Sequence, residues 1–395
     1  MVAQEEFDHV ALAGEVDPYA IVRGLREQCP VAHSSQYGGF YAFTRFEDVW
    51  NAALDTAAWS SAENGATIPR YSPINLLPIE CDPPDHSVYR RMFLPLMSRS
   101  ALAPLESRML EVVNDLLDEV IERGECDLVG DVLFPMATVG LSHLYGLDPE
   151  QTEKIERSAV NALKLGGPEA AMPLFMAFAE LVGQRRAQPG EDIPSMLIAA
   201  RVDGEPIPEQ DLIGACVSVF SAGFDTVVSA CAHSFDLLES NPDQRAWLIE
   251  DPSRIPNAME ELLRYVSPLP GLARTATADL EVGDCKIPKG DRAMLMFLAA
   301  NHDPEQYPEP EKLQLDRNAS KHVAFGAGPH RCLGAPLGRL ELEAALRVVL
   351  TRIPDYTIPD RSKVVRVGGV TRTVTSLPIS FTPGPRLKPP AANVG

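Results

Sequence analysis

One very long apolar segment constrains the fold of this chain more than any other feature. It begins at Pro208, a residue suited to the first turn of a helix, and it ends before Pro242, which cannot continue one. At about 1.5 Å per residue, a helix of this length would span roughly 50 Å. Its central run, LIGACVSVFSAGFDTVVSACAHSF, is too apolar to face water. We therefore expect a buried helix around which the remaining elements pack.

Helical patterns also dominate the rest of the chain. Apolar side chains recur at helical spacing in the segments 47–55, 87–98, 101–123, 151–164, 170–187, 243–250 and 337–350. Runs with β character are limited to 39–43, 273–296 and 364–382. Because no linker interrupts these patterns, the sequence predicts a single domain over residues 1–395 that is mainly α with a small β region. The final segment, 383–395, is expected to be a flexible tail.

Charge, cysteine spacing and hydropathy exclude several classes of protein. The 35 Lys and Arg against 55 Asp and Glu give a net charge of −20, which argues against a nucleic-acid partner. Nothing in the sequence reaches 18 uninterrupted apolar residues, and the acidic N-terminus is unlike a signal peptide, so no membrane association is expected. The seven cysteines are scattered without a CxxC motif, which favours a reducing, cytoplasmic location.

A glycine-rich loop places a single cysteine at the start of a helical pattern. Residues 325–334 read FGAGPHRCLG, and the helical pattern of 337–350 follows. The glycines leave little side-chain bulk, so the backbone can lie against a large flat group. The free N–H groups of a helix start favour a thiolate at Cys332. Most single cysteines are buried structural residues. The phenylalanine and glycines around this one instead favour an axial ligand to a planar metallocofactor.

The middle of the long helix carries residues that are poor helix formers. Ala222 and Gly223 leave space for a bulky planar group, and Asp225 and Thr226 follow at once. A glycine inside a helix costs about 1 kcal/mol relative to alanine, and buried polar groups need partners. A satisfied polar pair in the core is the alternative interpretation.

The glycine-rich loop resembles the haem-binding loop of the cytochrome P-450 superfamily, the haem-thiolate monooxygenases. The pattern Phe-x-x-Gly-x-x-x-Cys-x-Gly is filled by Phe325, Gly328, Cys332 and Gly334. The resemblance implies the cytochrome P-450 fold, with the long helix lying over haem b (iron protoporphyrin IX). It implies that Cys332 ligates the iron and that the cofactor is contacted by Ala222, Gly223, Phe325, Gly326 and Gly334. The chain's length and lack of an anchor resemble soluble bacterial members, which implies a monomer.

The same resemblance implies roles for the polar pair of the long helix. Thr226 would act by hydrogen bonding on the dioxygen side of the haem, and Asp225 would connect to solvent and relay protons. The thiolate on the opposite side favours cleavage of the O–O bond. The implied reaction is insertion of one oxygen atom into an organic substrate, by hydroxylation or epoxidation.

Two further groups of residues match positions of the family. Glu261 and Arg264 stand three residues apart, on one face of a helix, and match its Glu-x-x-Arg pair, which Arg317 would complete as a structural network. Haem propionates need cations or strong donors. The positions that match the family's propionate contacts are His86, Arg90, Arg274 and His330.

The substrate pocket implied by the family is mostly apolar. Its lining would include Ile68, Tyr71, Leu76, Leu77, Val219, Leu269, Leu272 and Val370. Such a lining suits a small or medium apolar molecule such as a terpenoid. If Arg70 and Arg372 point into the pocket, they could bind a carboxylate, so an acidic substrate is the alternative.

The chain contains neither a Gly-rich dinucleotide loop nor iron–sulfur cysteine spacing, so electrons must come from other proteins. The family analogy implies a ferredoxin and its reductase. The basic residues expected to contact this partner near Cys332 are Arg91, Arg99, Lys321, Arg331 and Arg339. Ordinary solvated charges are the alternative.

Three functions remain open at this point. An external monooxygenase is favoured. A haem-thiolate peroxygenase or nitric oxide reductase is the second hypothesis. The pair Asp225 and Thr226 counts against a peroxygenase, because peroxide already carries the protons that dioxygen activation must import. A haem sensor without catalysis is the third.

Overall fold

The computed structural model describes residues 6–70, 72, 74–165 and 167–388. Helices account for most of this part of the chain. They are α1 His9–Gly14, α2 Tyr19–Gln28, α3 Phe46–Leu54, α4 Asp85–Phe93, α5 Arg99–Asp118, α6 Phe134–Tyr145, α7 Pro149–Leu165, α8 Gly167–Ala187, α9 Ile193–Ala199, α10 Glu209–Ser240, α11 Pro242–Glu250, α12 Ile255–Val266, α13 Phe297–Asn301 and α14 Ala335–Arg352.

The strands of the described residues are short and form one five-stranded sheet and four two-stranded sheets. They are β1 Val31–Ser34, β2 Phe40–Phe43, β3 Trp59–Ser60, β4 Glu125–Asp127, β5 Arg201–Val202, β6 Glu205–Pro206, β7 Leu272–Ala276, β8 Leu280–Val282, β9 Cys285–Ile287, β10 Arg292–Leu295, β11 Val365–Val367, β12 Thr373–Ser376 and β13 Pro378–Ser380. The largest sheet has the order β1-β2-β10-β7-β3, in which only the β2–β10 pair is parallel. A two-stranded sheet joins β11 to β12, and another joins β13 to β4.

The long helix α10 lies at the centre of the fold. It contacts α6, α8, α12 and α14 as well as strand β12. Pro208 occupies the position that precedes its first turn, as its fixed backbone angle favours. The prediction of a buried central helix in a mainly α fold with a small β region is therefore confirmed.

Helix α6 was missed in the sequence. Eight of its twelve residues, FPMATVGLSHLY, are buried, and only His143 is exposed. A helix without a polar face lacks the one-sided apolar pattern by which surface helices are found.

Two stretches are long and apolar enough to cross a membrane, namely Leu128–Tyr145 and Glu209–Ser240. Within the fold, the most apolar 18 residues of each stretch are 67% buried in the first and 61% buried in the second. Both therefore have the burial of core helices in a folded protein.

The C-terminal segment is attached to α5 over part of its length. The backbone N–H groups of Leu387 and Lys388 donate to the Asp118 carboxylate, and Arg386 pairs with Glu119. Within the segment 383–395 that is predicted to be a flexible tail, residues 386–388 thus contact α5 and the residue that follows it. Residues 389–395 lie outside the described part of the chain.

Candidate active site

The Cys332 loop is shaped by close contacts with neighbouring backbone. The N–H of Cys332 donates to the carbonyl of Phe325 at 2.7 Å, which closes the loop just before α14. Gly328 has φ +66°, and a Cβ there would lie 2.3 Å from the carbonyl oxygen of Ala53 at the end of α3. This glycine is therefore required by the approach of α3. Gly334 has no such neighbour, since the nearest atom to its added Cβ is Cys332 Sγ at 4.0 Å.

The thiol of Cys332 receives several influences that oppose one another. The Cys332 side chain is exposed to the space beside the loop. The protein atoms packed near its sulfur raise the pKa of the thiol, whereas hydrogen bonds from the amides of Gly334 and Ala335 and the charges of Arg90 and Arg339 lower it. Desolvation by these atoms is the largest of the effects, so the pKa lies above the ordinary value for a thiol. The amides at the start of α14 act in the predicted direction, because their hydrogen bonds lower the pKa of the thiol and favour the thiolate. A coordinated metal cation would keep this thiol deprotonated.

Four cationic or ionisable side chains meet beside this loop. The rings of His86 from α4 and His330 lie 4.0 Å apart between centroids. Burial, together with the charges of Arg274, His86 and Arg90, lowers the pKa of His330 to about 2. Arg274, on β7, is 3% exposed, and burial lowers its pKa to about 10. The four residues predicted to anchor propionates are thus brought together in one cluster.

This cluster fits a group that carries negative charge. Neither Arg90 nor Arg274 forms an ion pair with another residue in the described part of the chain. The negative charge that acts on Arg274 is that of the Asp82 carboxylate. This carboxylate already accepts hydrogen bonds from Ser60 Oγ and the Ser61 N–H. A buried arginine without a carboxylate partner is costly unless a ligand supplies the anion. The carboxylates of haem have this chemistry.

The opposite wall comes from α10, whose burial is interrupted at one point. Ser221, Ala222 and Thr226 are open in a helix that is otherwise largely enclosed. The Thr226 hydroxyl donates to the carbonyl of Ala222 at 2.6 Å. The added Cβ of Gly338, in the first turn of α14, would lie 4.0 Å from Val227, so the open stretch lies close to the helix that follows Cys332.

Gly223 has a different reason for being small. A Cβ at this position would lie 2.9 Å from the Leu141 side chain of α6. The glycine therefore allows α6 to pack on α10, and the interpretation that it makes room for a planar group is corrected to that extent. Ala222 and Thr226 are the residues that face the open space.

The carboxyl group of Asp225 does not face that space. It is 7% exposed and is bound by the hydroxyls of Thr371 and Thr373 beside β12 and of Ser229 on α10. Burial raises its pKa, and these hydrogen bonds lower it, with burial as the larger effect. The strand covers this side of the helix, so the carboxyl group that is predicted to connect to solvent does not reach it directly in this structure.

The Glu261 network is buried and complete. Arg264 donates to the Glu261 carboxylate from Nε at 2.6 Å and from Nη2 at 2.9 Å, and both side chains are 0% exposed. Arg317 Nε donates to Oε1 at 3.1 Å. Arg264 also donates to the Asn301 carbonyl, which ties α12 to α13. These contacts give the three residues a structural role, because they join α12 to α13 and to the segment that carries Arg317.

The predicted substrate residues fall into two groups. Leu76, Val219, Leu269 and Leu272 are partly open, and Val370 is 36% exposed. Ile68 and Leu77 are 3% and 5% exposed and pack in core clusters, so they belong to the hydrophobic core instead of the open part of the lining. Tyr71 lies outside the described residues.

Thr371 and Thr373 were missed in the sequence. They contact Asp225 across 146 and 148 residues of chain. The sequence contains one indication of their role. Two hydroxyl residues stand two positions apart in a run with β character, and this spacing places both side chains on the same face of a strand. Nothing local connects that side to α10.

Comparison with known proteins identifies the family. The family model described as Cytochrome P450 matches residues 169–363. The protein named cytochrome P450 130 from Mycobacterium tuberculosis is 30% identical, with 96% of this chain and 99% of that protein covered. The chain belongs to the cytochrome P450 family. Linalool 8-monooxygenase from Pseudomonas putida is 28% identical, with 88% of this P450 and 92% of that enzyme covered.

Solved structures agree with this assignment. A mutant of P450 EryK in complex with erythromycin B matches with a TM-score of 0.86 and 28% identity, over 96% of this P450 and 99% of that chain. The protein is accordingly a P450 monooxygenase, an oxidoreductase whose family uses haem iron, an organic substrate, dioxygen and redox partner proteins.

Proposed function

We propose that this P450 is an external monooxygenase that hydroxylates or epoxidises a small or medium apolar molecule, such as a terpenoid, with haem b as its cofactor. The proposal is carried by one arrangement. A cysteine with two amide donors and a cluster of cations without carboxylate partners border the open stretch of an otherwise buried helix. A flat apolar group with two carboxylates and a metal matches all three features.

Each residue of this arrangement has a task. Cys332 would hold the iron through Sγ, with Phe325, Gly326 and Gly334 forming the wall of the loop. Arg90, Arg274, His86 and His330 would bind the carboxylates. Haem iron supplies the oxygen activation and the electron transfer. Thr226 Oγ1 and the carboxyl group of Asp225 would deliver protons to the cavity side of α10.

An uncharged substrate is favoured by the positions of two arginines. Arg70 donates to Asn75 Oδ1 at 2.7 Å and also pairs with Glu80. Arg372 is 2% exposed and donates to the Val266 carbonyl at 2.5 Å. Neither of these two arginines points a free guanidinium into the described part of the apolar lining, so neither would bind a carboxylate there.

Electrons would come from a separate ferredoxin and its reductase. Four of the five basic residues expected at the docking surface are exposed and form no ion pair with a described residue: Arg91, Arg99, Lys321 and Arg331. Arg339 is different, because it is bound to Glu260 and lies over the Phe325 ring at 4.5 Å. We propose the four exposed cations as the docking patch of a monomeric, cytoplasmic enzyme. The seven free cysteines are consistent with that location.

The first experiment tests the ligand. The reduced protein with carbon monoxide should give the red-shifted Soret band of thiolate ligation, and Cys332→Ser should lose it. A protein that takes up no haem, or a Cys332→Ser variant that keeps the band, would refute the proposal.

Thr226→Ala tests the reaction. A monooxygenase that relies on this hydroxyl for proton delivery should divert electrons from product to hydrogen peroxide. A peroxygenase, a nitric oxide reductase or a sensor should show little change in its own activity or binding.

A further inference from the structure

Asp225 is held by a set of neutral hydroxyl groups. Thr373 Oγ1 donates to its two carboxyl oxygens at 2.9 and 3.0 Å, and Thr371 Oγ1 donates to Oδ2. Ser229 Oγ lies 3.3 Å from Oδ1. The two threonine hydroxyls are also 2.8 Å apart. All four residues are buried, at 0–8% exposure, so water does not compete for these bonds.

The charged groups packed around Asp225 are engaged elsewhere. Arg372 lies between the two threonines in sequence, but its guanidinium donates to the Val266 carbonyl and lies over the Tyr19 ring. On α10 itself, His233 Nε2 is bound to the Arg372 carbonyl at 2.9 Å. Within the described chain, Asp225 forms no ion pair. The hydroxyls therefore decide where its carboxyl group points.

This orientation separates Asp225 from its neighbour. Successive residues on a helix point about 100° apart. Asp225 consequently faces β12, whereas Thr226 faces the open stretch. A proton donor must come within hydrogen-bond reach of its acceptor, directly or through one water. As held here, the carboxyl group lies on the wrong side of α10 and must rotate about its side-chain bonds to serve the cavity.

We propose that Thr371 and Thr373 are positioning residues for proton delivery, which hold the carboxyl group of Asp225 against β12 until it turns toward the cavity. This inference rests on the proposed function.

The first test measures positioning without turnover. The unfolding free energy of the haem-loaded protein is measured from about pH 4 to pH 8 for the wild type and for Asp225→Asn. The pKa of Asp225 is raised in the folded state. The contribution of its carboxyl group to the unfolding free energy is therefore fully present below the pKa of the unfolded chain, and it is lost as pH rises through the pKa of the folded protein. Wild type should therefore lose stability relative to Asp225→Asn as pH rises.

Thr373→Val removes a donor that favours the charged carboxylate, so this loss should become larger and extend to higher pH. The Thr373→Val change should have no pH-dependent effect in the Asp225→Asn background, and Thr373→Ser should restore wild-type behaviour. Thr375→Val is the matched control, because Thr375 is buried on the same strand and has no hydrogen bond to Asp225. An unchanged pH dependence in Thr373→Val, or an equal change in both backgrounds, would overturn the proposal.

The second test follows product formation in ordinary and heavy water. Release of Asp225 in Thr371→Val and Thr373→Val should alter the solvent isotope effect and the pH profile of the yield of product per electron pair, with KM for the substrate unchanged. A change in KM alone would assign the threonines to substrate binding and overturn the inference. If Thr226→Ala fails to raise peroxide, the proposed function fails. If Thr226→Ala responds and the threonine variants do not, only the present inference fails.

Discussion

At the scale of single residues, the glycines of the Cys332 loop have different reasons for being glycine. Gly326 and Gly328 share φ +66°, a conformation in which a side chain costs about 1–2 kcal/mol. Only Gly328 also lies against backbone, since its added Cβ would meet Ala53 at 2.3 Å. The nearest atom to a Cβ at Gly326 lies 3.7 Å away, on the Phe297 ring.

Gly328→Ala should therefore reduce the unfolding free energy by about 3 kcal/mol, because strain and overlap add. Gly326→Ala should cost about 1–2 kcal/mol from strain alone. Gly334→Ala should cost least, since its φ is −80°. Urea unfolding of the three variants gives the order, and equal losses for Gly326→Ala and Gly328→Ala would contradict the role of the α3 contact.

Arg274 should matter for the cofactor more than for the fold. Arg274→Gln removes a buried cation that has no carboxylate partner in the described chain. The haem-free protein should therefore lose no stability, while haem affinity should fall roughly ten- to a hundredfold, as expected for a bond to a charged group. Transfer of haem to an acceptor protein measures the change.

Arg292→Gln is the matched control for that experiment. Arg292 is also partly buried, but it donates to the carbonyls of Gly65 and Thr67 instead of joining the cluster. Haem loss at the wild-type rate in Arg274→Gln, or equal loss in both variants, would argue against a propionate anchor.

At the scale of elements, one carboxylate joins α12 to α14. Glu260 accepts from Arg339 Nε at 2.6 Å and from Nη2 at 2.8 Å, and His322 Nε2 lies 3.1 Å away. Burial alone would raise the pKa of Glu260, but these hydrogen bonds outweigh it and lower the pKa to about 2. The helix that carries Glu261 is thus linked to the helix that follows Cys332.

Glu260→Gln should lower the unfolding free energy at neutral pH by about 2 kcal/mol. Because the folded pKa is depressed, this contribution is present above the unfolded pKa and is lost as pH falls toward about 2. The difference between variant and wild type should therefore shrink below about pH 4.5. Glu343→Gln, which breaks a partly exposed pair with Arg347 inside α14, should cost less than about 1 kcal/mol. A Glu260→Gln loss that is independent of pH would reject this explanation.

At the scale of the whole molecule, a chain with net charge −20 still presents exposed cations beside the Cys332 loop. Such a local patch steers an acidic partner despite the repulsion from the rest of the surface. Arg331→Glu should raise KM for a ferredoxin severalfold, and added salt should reduce the difference between variant and wild type.

Arg201→Glu changes the net charge equally but lies on the β5–β6 hairpin, outside the Cys332 loop. It should leave KM for the ferredoxin close to the wild-type value. Equal effects of the two reversals would mean that overall charge, not the patch, governs docking.

The sequence by itself determined the features that depend on local spacing. The apolar run of α10, the helix beyond Cys332 and the spacing of Glu261 and Arg264 can be read within a few turns of chain, because helix geometry places such residues on one face. The mainly α fold could therefore be predicted. The family resemblance, from which we inferred the cysteine ligand, could also be recognised in the sequence.

Only the tertiary structure decided which groups meet across the chain. Gly223 is small because Leu141 packs on it, Gly328 because α3 approaches it, and Asp225 faces β12 because two threonines bind it there. These contacts join segments far apart in sequence, and no periodicity of either segment encodes its partner. Burial then sets the electrostatics, since the desolvation that raises the pKa of Asp225 exists only once the surrounding elements have packed.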